Sequence, residues 1–347
     1  MTIIPMDTPI PTATAIRTPP ALPALFQTTL QNPVDPPHTY IQDTCQYLLD
    51  KWSSTKSVPG TVVIPIMFHS IGAETGGSTI SEEDFKLLIG ALHDKGFQTI
   101  TTAQLADFLE NNAKIPPRSV QLILDDRRPG TVSLYFLPYL NEYNWMLTLA
   151  WPIGAGDAST DNKPASNVLP DEHFTTLWEQ MEAYNATGRL DIQAHGVVHN
   201  VPMWPGVADS YIVSELQGSI DALKLHFNKA PIAIIWPGGG FSTHSVRFAR
   251  QLGYKLGFTT SARGPLMFNW IPLGDRITDV HGPTWQPEGP MNDPLMVLPR
   301  YWDTDAFKHL DDILKISQDA AAYAEQNKAT ELEYYDIVCA PSLGPLP

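Results

Sequence analysis

The sequence predicts an α/β fold in which a parallel sheet, covered by helices, closes or nearly closes into a β/α barrel. Three observations carry that prediction. From Thr61 onward, short β-rich runs alternate with helical patterns, which is how strand and helix units of a parallel sheet read. The strand runs are almost continuously apolar, as strands covered on both faces must be. Roughly seven such units follow one another, which favours a barrel over an open sheet.

Taken in order, the first strand is TVVIPIMF, Thr61 to Phe68. The helix SEEDFKLLIGALHDKG follows, with Ser81 as N-cap, acids in its first turn and Gly96 past its end. FQTI then leads to TTAQLADFLENN, SVQLILDD to a helical stretch around Leu134 to Tyr143, and WMLTLAWPI to LPDEHFTTLWEQMEAYNATG. RLDIQAHG leads to the long helix DSYIVSELQGSIDALKLHFN, and PIAIIWPGGG to STHSVRFARQLGY. KLGFTT adds a strand, and a late one is expected at LMVLPR, Leu295 to Arg300. A final helix from about Thr304 to Gln326, with the tail ELEYYDIVCAPS, would pack outside the barrel. The expected organisation is a Pro/Thr-rich disordered linker over 1–36, a helical extension over 37–60, the catalytic domain over 61–302 and a C-terminal helix and tail over 303–347.

Composition narrows the function classes. With 22 basic and 37 acidic residues the net charge is -15 and no Lys/Arg block stands out, so nucleic acid is an unfavourable partner. No run approaches the roughly 18 apolar residues of a membrane span. The Thr/Pro-rich opening, with Pro5, Pro9, Pro11, Pro19, Pro20 and Pro23, reads as an extended tether of the kind that holds a bacterial protein outside the cell, its anchor or signal absent from this chain. Cys45 and Cys339 lie near opposite ends of the folded part, where they are either a bridge tying the ends together or two unpaired, half-buried thiols.

Chemistry gathers at the C-terminal ends of the strands, where β/α folds put their sites. The first strand delivers His69, the third Asp125 and Asp126, the fifth His195 with His199 four residues on, and the sixth the turn from Trp236. Two histidines and a carboxylate can hold a catalytic metal and leave a position for water or substrate. Such a site also needs a group to take a proton from the water, which is a reason for two adjacent acids where one would bind the metal.

In order and type these motifs resemble the polysaccharide deacetylases of the NodB-homology type, carbohydrate esterase family 4. PIMFHSI is similar to the family's opening strand, ILDDRRPG stands where the family has Thr-Phe-Asp-Asp-Gly, and LDIQAHGVVHN matches its Ser-His-x-x-x-His. IAIIWPGGGFSTHSVRFARQLGYKLGFTT is similar to its Phe-x-Tyr-Pro-x-Gly strand, helix and Gly-Tyr segment, so the resemblance runs from about Val62 to Arg300. It implies a distorted (β/α) barrel of seven or eight strands with N- and C-terminal extensions, and hydrolysis of N- or O-acetyl groups on a carbohydrate polymer. It further implies that Asp126, His195 and His199 bind a divalent metal, most often Zn²⁺, that Asp125 is the general base, and that His69 lines the site as a catalytic residue, donating a proton or holding substrate. Pro237, Gly238 and Arg127 would border the substrate, and Trp236, with Trp151, Trp204 or Trp285, would stack on sugar rings.

Three departures from the family pattern stand out. The glycine after the two acids is Arg127, so Arg127 or Arg128 could pair with Asp125 and weaken it as a base. PGGG replaces an aromatic-bearing turn and would open the cleft wall or admit substrate backbone. No equivalent of the family's late Leu-x-His motif is evident, so the catalytic acid has no assignment. The other readings are a surface-tethered carbohydrate-binding protein without turnover on the same fold, and a hydrolase acting on a different acyl bond. A serine esterase is disfavoured because no G-x-S-x-G elbow is present.

Overall fold

A computed structural model describes residues 17–31, 35–125, 128–154, 177–198, 201–276 and 286–347. Seven parallel strands form the barrel wall: β1 (Val62–Phe68), β2 (Arg118–Asp125), β3 (Leu147–Trp151), β4 (Leu190–Ala194), β5 (Ala233–Ile235), β6 (Leu256–Phe258) and β7 (Tyr301–Trp302). They run side by side as β6-β5-β4-β3-β2-β1-β7, and a short eighth strand, Gln98–Thr99, pairs with the first half of β2. A bridge between Phe258 and Leu298, just before β7, brings the two ends of the sheet together. Because β1 to β6 are buried along almost their whole length, their sequences carry no alternation of apolar and polar residues.

The helices follow the sequence signals closely. The helix α1 (Thr44–Trp52) is capped by Asp43, and α2 (Glu82–Asp94) by Ser81, with Glu82, Glu83 and Asp84 in its first turn. The next, α3 (Thr102–Asn111), starts at a Thr101/Gln104 capping box. After β3 and β4 come α4 (Leu177–Ala186) and α5 (Asp209–Phe227), and after β5 comes α6 (Thr243–Gln251), with a Ser242/Ser245 capping box.

The end of the chain departs from expectation. The strand expected over Leu295 to Arg300 is a turn of 3₁₀ helix at Pro294–Met296 and an extended stretch, and the ladder forms only at Tyr301–Trp302. Pro294 starts the helical turn and Pro299 has no N–H to give, so the backbone bonds are isolated ones: Leu298 donates to Gly257 at 2.7 Å and accepts from Thr259 at 2.9 Å, and Arg300 donates to Ser261 at 3.1 Å. The final helix, α7 (Asp303–Tyr334), runs well past Gln326, and the expected tail continues it as helix through Leu343. Nothing in that tail breaks a helix until Pro341 and Gly344.

The N-terminal segment has no regular secondary structure over 17–28, but it lies against the protein. Phe26 packs on Trp270 and Tyr323, and the hydroxyl of Tyr323 and indole N–H of Trp270 donate to the carbonyls of Ala24 and Phe26. Cys45 and Cys339 are joined in a disulfide, so of the two readings of the cysteines the bridge holds. This bridge, α1 and the far part of α7 lie at the N-terminal ends of the strands. There Asn112 donates to Asp50 and Ser57 just before β1, and Ser317 of α7 donates to Gly60.

Candidate functional site

The opposite rim, at the C-terminal ends of the strands, collects the polar groups. Asp125 is the last residue of β2 and 2% exposed. An isolated carboxylate there would be costly, and its partner is Arg300, fully buried in the segment that closes the barrel. Arg300 donates from Nη1 and Nη2 to the two Asp125 oxygens at 2.7 and 3.0 Å, and from Nε to the Thr259 carbonyl at 2.8 Å. The fork therefore fixes both the charge and the plane of the carboxylate. His69, just past β1, places Nε2 3.7 Å from Asp125 and stacks its ring on Trp302. Burial pushes the Asp125 carboxyl up, but the Arg300 guanidinium, with the His69 and His195 imidazoles, outweighs it and holds Asp125 below the usual carboxylate range.

His195 follows β4 and is 2% exposed. Its Nδ1 lies 2.8 Å from the carbonyl of Ile235 on β5, and since a carbonyl only accepts, Nδ1 carries the proton. That tautomer leaves the lone pair on Nε2, and a histidine oriented through Nδ1–H to a carbonyl is the usual form of a metal ligand. The turn beyond it is built for this purpose by α5. Glu215, 2% exposed, accepts from the backbone N–H groups of Val197 and Val198 at 2.7 and 2.8 Å. Gly196 has φ +80°, and a side chain there would meet Glu215 and Pro237, so only glycine fits.

A second buried acid stands near the first. Asp303 opens α7 directly after β7 and is 2% exposed. Its Oδ1 accepts from Thr304 N–H at 2.8 Å, while Oδ2 has no hydrogen-bond partner among the described residues. Burial, with the negative charge of Asp125, pushes the Asp303 carboxyl up to about 7.

The sugar-stacking expectations meet the burial of the rings. Trp236 is fully buried and its Nε1–H donates to the Met296 carbonyl at 2.8 Å, and Trp151, at the end of β3, is fully buried too. Neither ring presents a face to a cleft. Trp204 is half-buried and lies over Gly240, where a Cβ would come within 2.6 Å of its Nε1 and 2.3 Å of Pro202. At Gly238 and Gly240 the space that a side chain would take is thus occupied by Pro202 and, at Gly240, by Trp204 as well. Pro237 is buried and Gly238 exposed, at φ +56°.

Asp126, Arg127, His199 and Trp285 lie outside the described residues. Among the described residues no cluster of three ligand-type side chains is complete, since two of the three expected ligands are in that group. The chemistry of those that are described fits a divalent cation: a histidine with its lone pair on Nε2, next to a carboxylate fixed in its ionised form. Sequence reasoning missed Arg300, Glu215 and Asp303. It looked to Arg127 or Arg128 for a partner of Asp125 and did not see Arg300, which pairs with it from 175 residues away; Arg127 lies outside the described residues. The one available signal was a lone charge ending the apolar run LMVLPR, and for Glu215 an acid on the apolar face of α5 between Ile212 and Leu216.

Residues 112–257 match the family model described as polysaccharide deacetylase. YxkH of Bacillus subtilis (strain 168), provisionally named a polysaccharide deacetylase, is 24% identical over 196 residues, 56% of this chain. The chain spans 63% of that relative's length. Among solved structures, the Streptococcus pyogenes deacetylase PplD in complex with acetate aligns with a TM-score of 0.53 and 19% identity, over 70% of this chain and 92% of its own. IcaB from Ammonifex degensii aligns with a TM-score of 0.51 and 17% identity, over 77% and 100%. The fold is the curled, parallel β/α barrel of the NodB type, and the middle of the chain, residues 112–257, is similar to the polysaccharide deacetylases.

Proposed function

We propose that the protein is a metal-dependent hydrolase that removes N- or O-acetyl groups from a carbohydrate polymer outside the bacterial cell. Asp126, His195 and His199 would hold the cation, with Zn²⁺ the best match to a His₂-carboxylate set. When bound, the cation polarises the acetyl carbonyl and lowers the pKa of water. Asp125 acts as the general base: clamped by Arg300 it stays ionised through neutral pH and cannot swing away, so it meets the proton at a fixed place. His195 directs Nε2 into the site because Nδ1–H is held by Ile235, and Glu215 holds the following turn in place.

The observation that carries this reading is the presence of an ionised, immobilised carboxylate at the end of β2 and a histidine of metal-binding tautomer at the end of β4, on the same rim of the barrel. The match of residues 112–257 to the family supports it, as does the disulfide for an oxidising compartment. Its test is the metal content of the purified protein by inductively coupled plasma mass spectrometry, beside His195→Ala and Asp126→Ala. About one metal per chain in the unaltered protein, lost in both variants while they stay folded, is the expected result. No metal even after incubation with zinc would overturn it in favour of a binding protein on the same fold.

A further inference from the structure

We propose that the cavity at the N-terminal end of the barrel is a binding site for a single unbranched acyl or alkyl chain with an uncharged head group. It lies beside the turn that leads into β1, at the end opposite Asp125 and His195, and it is independent of the deacetylase reading.

The cavity has a volume of about 220 Å³ and sits under the N-terminal segment, between α1, α7 and residues 267–270. Its wall is mostly apolar, with rings from Phe26, Tyr47, Phe108, Phe268, Trp270 and Tyr323. From α7 it takes Ala320, Tyr323, Ala324 and Glu331, a stripe that extends about 16 Å along the helix axis. A compact cavity of about 150 Å³ already encloses a benzene ring. Little more volume than that, drawn out over three turns of helix, is narrow and has the shape of one extended chain. With carbon–carbon bonds of about 1.5 Å, a zigzag chain of roughly twelve carbons covers the length.

The polar side chains of the wall are engaged with the protein itself. Asn112 donates to the carbonyls of Asp50 and Ser57 at 2.8 and 3.0 Å, and Asn269 accepts from the N–H groups of Tyr40 and Ile41, both at 2.8 Å. The hydroxyls of Ser57 and Thr61 donate to the carbonyls of Ala113 and Val58. Glu331, 4% exposed, accepts from Lys51 Nζ at 2.8 Å and from Trp52 Nε1–H at 2.7 Å, so the acid and the base of the lining neutralise each other. A sugar or an ion is offered little here, whereas a hydrocarbon needs no polar partner.

The bland account is a packing gap beneath a terminal segment. Such a gap leaves its walls without contacts, which protein interiors avoid, and it has no need of an apolar opening. This cavity has one: Leu25 and Val58 line it and are also 38% and 61% exposed. The net charge of -15 disfavours an anionic head at that mouth, so the head group is neutral. With its head at the mouth, the chain of a neutral lipid would hold the protein by the end away from the polar rim.

The test is isothermal titration calorimetry of the full chain, unaltered and as Val58→Asp and Ala324→Leu. The ligands are straight-chain primary alcohols from hexanol to tetradecanol, with cyclohexanol, dodecanoate and an N-acetylglucosamine oligomer for comparison. Affinity is expected to rise about fourfold per methylene and to level off at about twelve carbons, where the cavity is full. Cyclohexanol should bind ~10-fold or more below hexanol, and dodecanoate ~10-fold or more below dodecanol. Val58→Asp puts a charge at the mouth and Ala324→Leu fills the channel, so each is expected to lower dodecanol affinity about 10-fold or more. Absence of alcohol binding overturns the proposal. So does a rise with chain length that never levels off, or an affinity that both folded variants leave unchanged, since either describes a merely apolar surface. A preference for the glucosamine oligomer that Val58→Asp abolishes would make the cavity a glycan site, and a dimer that Val58→Asp dissociates would make its mouth a contact between copies; both overturn the proposal. Should Ala324→Leu fail to fold, Val58→Asp decides alone, because that side chain is exposed. None of these readings depends on acetate release, so a failure of the deacetylase reading leaves them intact.

Discussion

Asp125 and Arg300 are a fully buried ion pair, and at the residue scale that pair sets most of the site's properties. Each ion alone would be expensive to bury, and the bidentate geometry with a third bond to Thr259 offsets the cost. Replacing Arg300 by methionine keeps much of the volume but leaves the carboxylate without its cation. It is expected to cost about 3–5 kcal/mol of unfolding free energy, read by urea titration at neutral pH. A loss below ~1 kcal/mol would mean that water or another cation serves Asp125 instead. Asp125, His195 and His69 were legible because their residue types recur at strand ends in a known order. Arg300 was not, since a contact spanning 175 residues leaves no local pattern. Trp236 and Trp151 show the converse: an aromatic at a strand end looks the same in sequence whether it faces sugar or core, and both are fully buried.

At the element scale the site depends on how closely α5 approaches the turn after β4. Gly218 lies in the middle of α5, where glycine is normally unfavourable, and a Cβ there would come within 2.7 Å of Val197 Cγ2. Helix propensity alone would make Gly218→Ala stabilising by about 1 kcal/mol. The contact with Val197 reverses the sign, and a net loss of roughly 1–2 kcal/mol, accompanied by weaker metal retention, is expected from thermal unfolding and metal analysis. Adding Val197→Ala should restore both, whereas a single variant more stable than the unaltered protein would contradict this reading of the helix. The helix boundaries were the most legible elements, because Ser81 and Thr101 cap side chains mark them chemically. The late strand was the least legible: LMVLPR has the composition of a strand, but Pro299 removes a donor and the ladder moves on to Tyr301 and Trp302.

For the molecule as a whole, chemistry and reinforcement are at opposite ends of the barrel. The Cys45–Cys339 bridge joins residues 294 apart and fastens α1 to the end of the last helix, far from the rim that carries Asp125. A crosslink over so long a loop limits the unfolded chain and is worth ~2–4 kcal/mol in favourable cases. The parallel fold was legible from the repeated strand and helix units, whereas closure through residues 297–302 was not, because it rests on single hydrogen bonds between distant segments. The net charge of -15 bears on the substrate, since a polyanionic polymer would be repelled and a neutral acetylated glycan would not.

The central claim, acetyl hydrolysis with Asp125 as base, is tested most directly by acetate release from an N-acetylglucosamine oligomer at neutral pH. The assay compares the zinc-loaded protein with Asp125→Asn, whose bound zinc is confirmed beforehand. Release by the unaltered protein, reduced about 100-fold or more in the variant, is the predicted result. Equal release by the two metal-loaded proteins, or none from either, would contradict it.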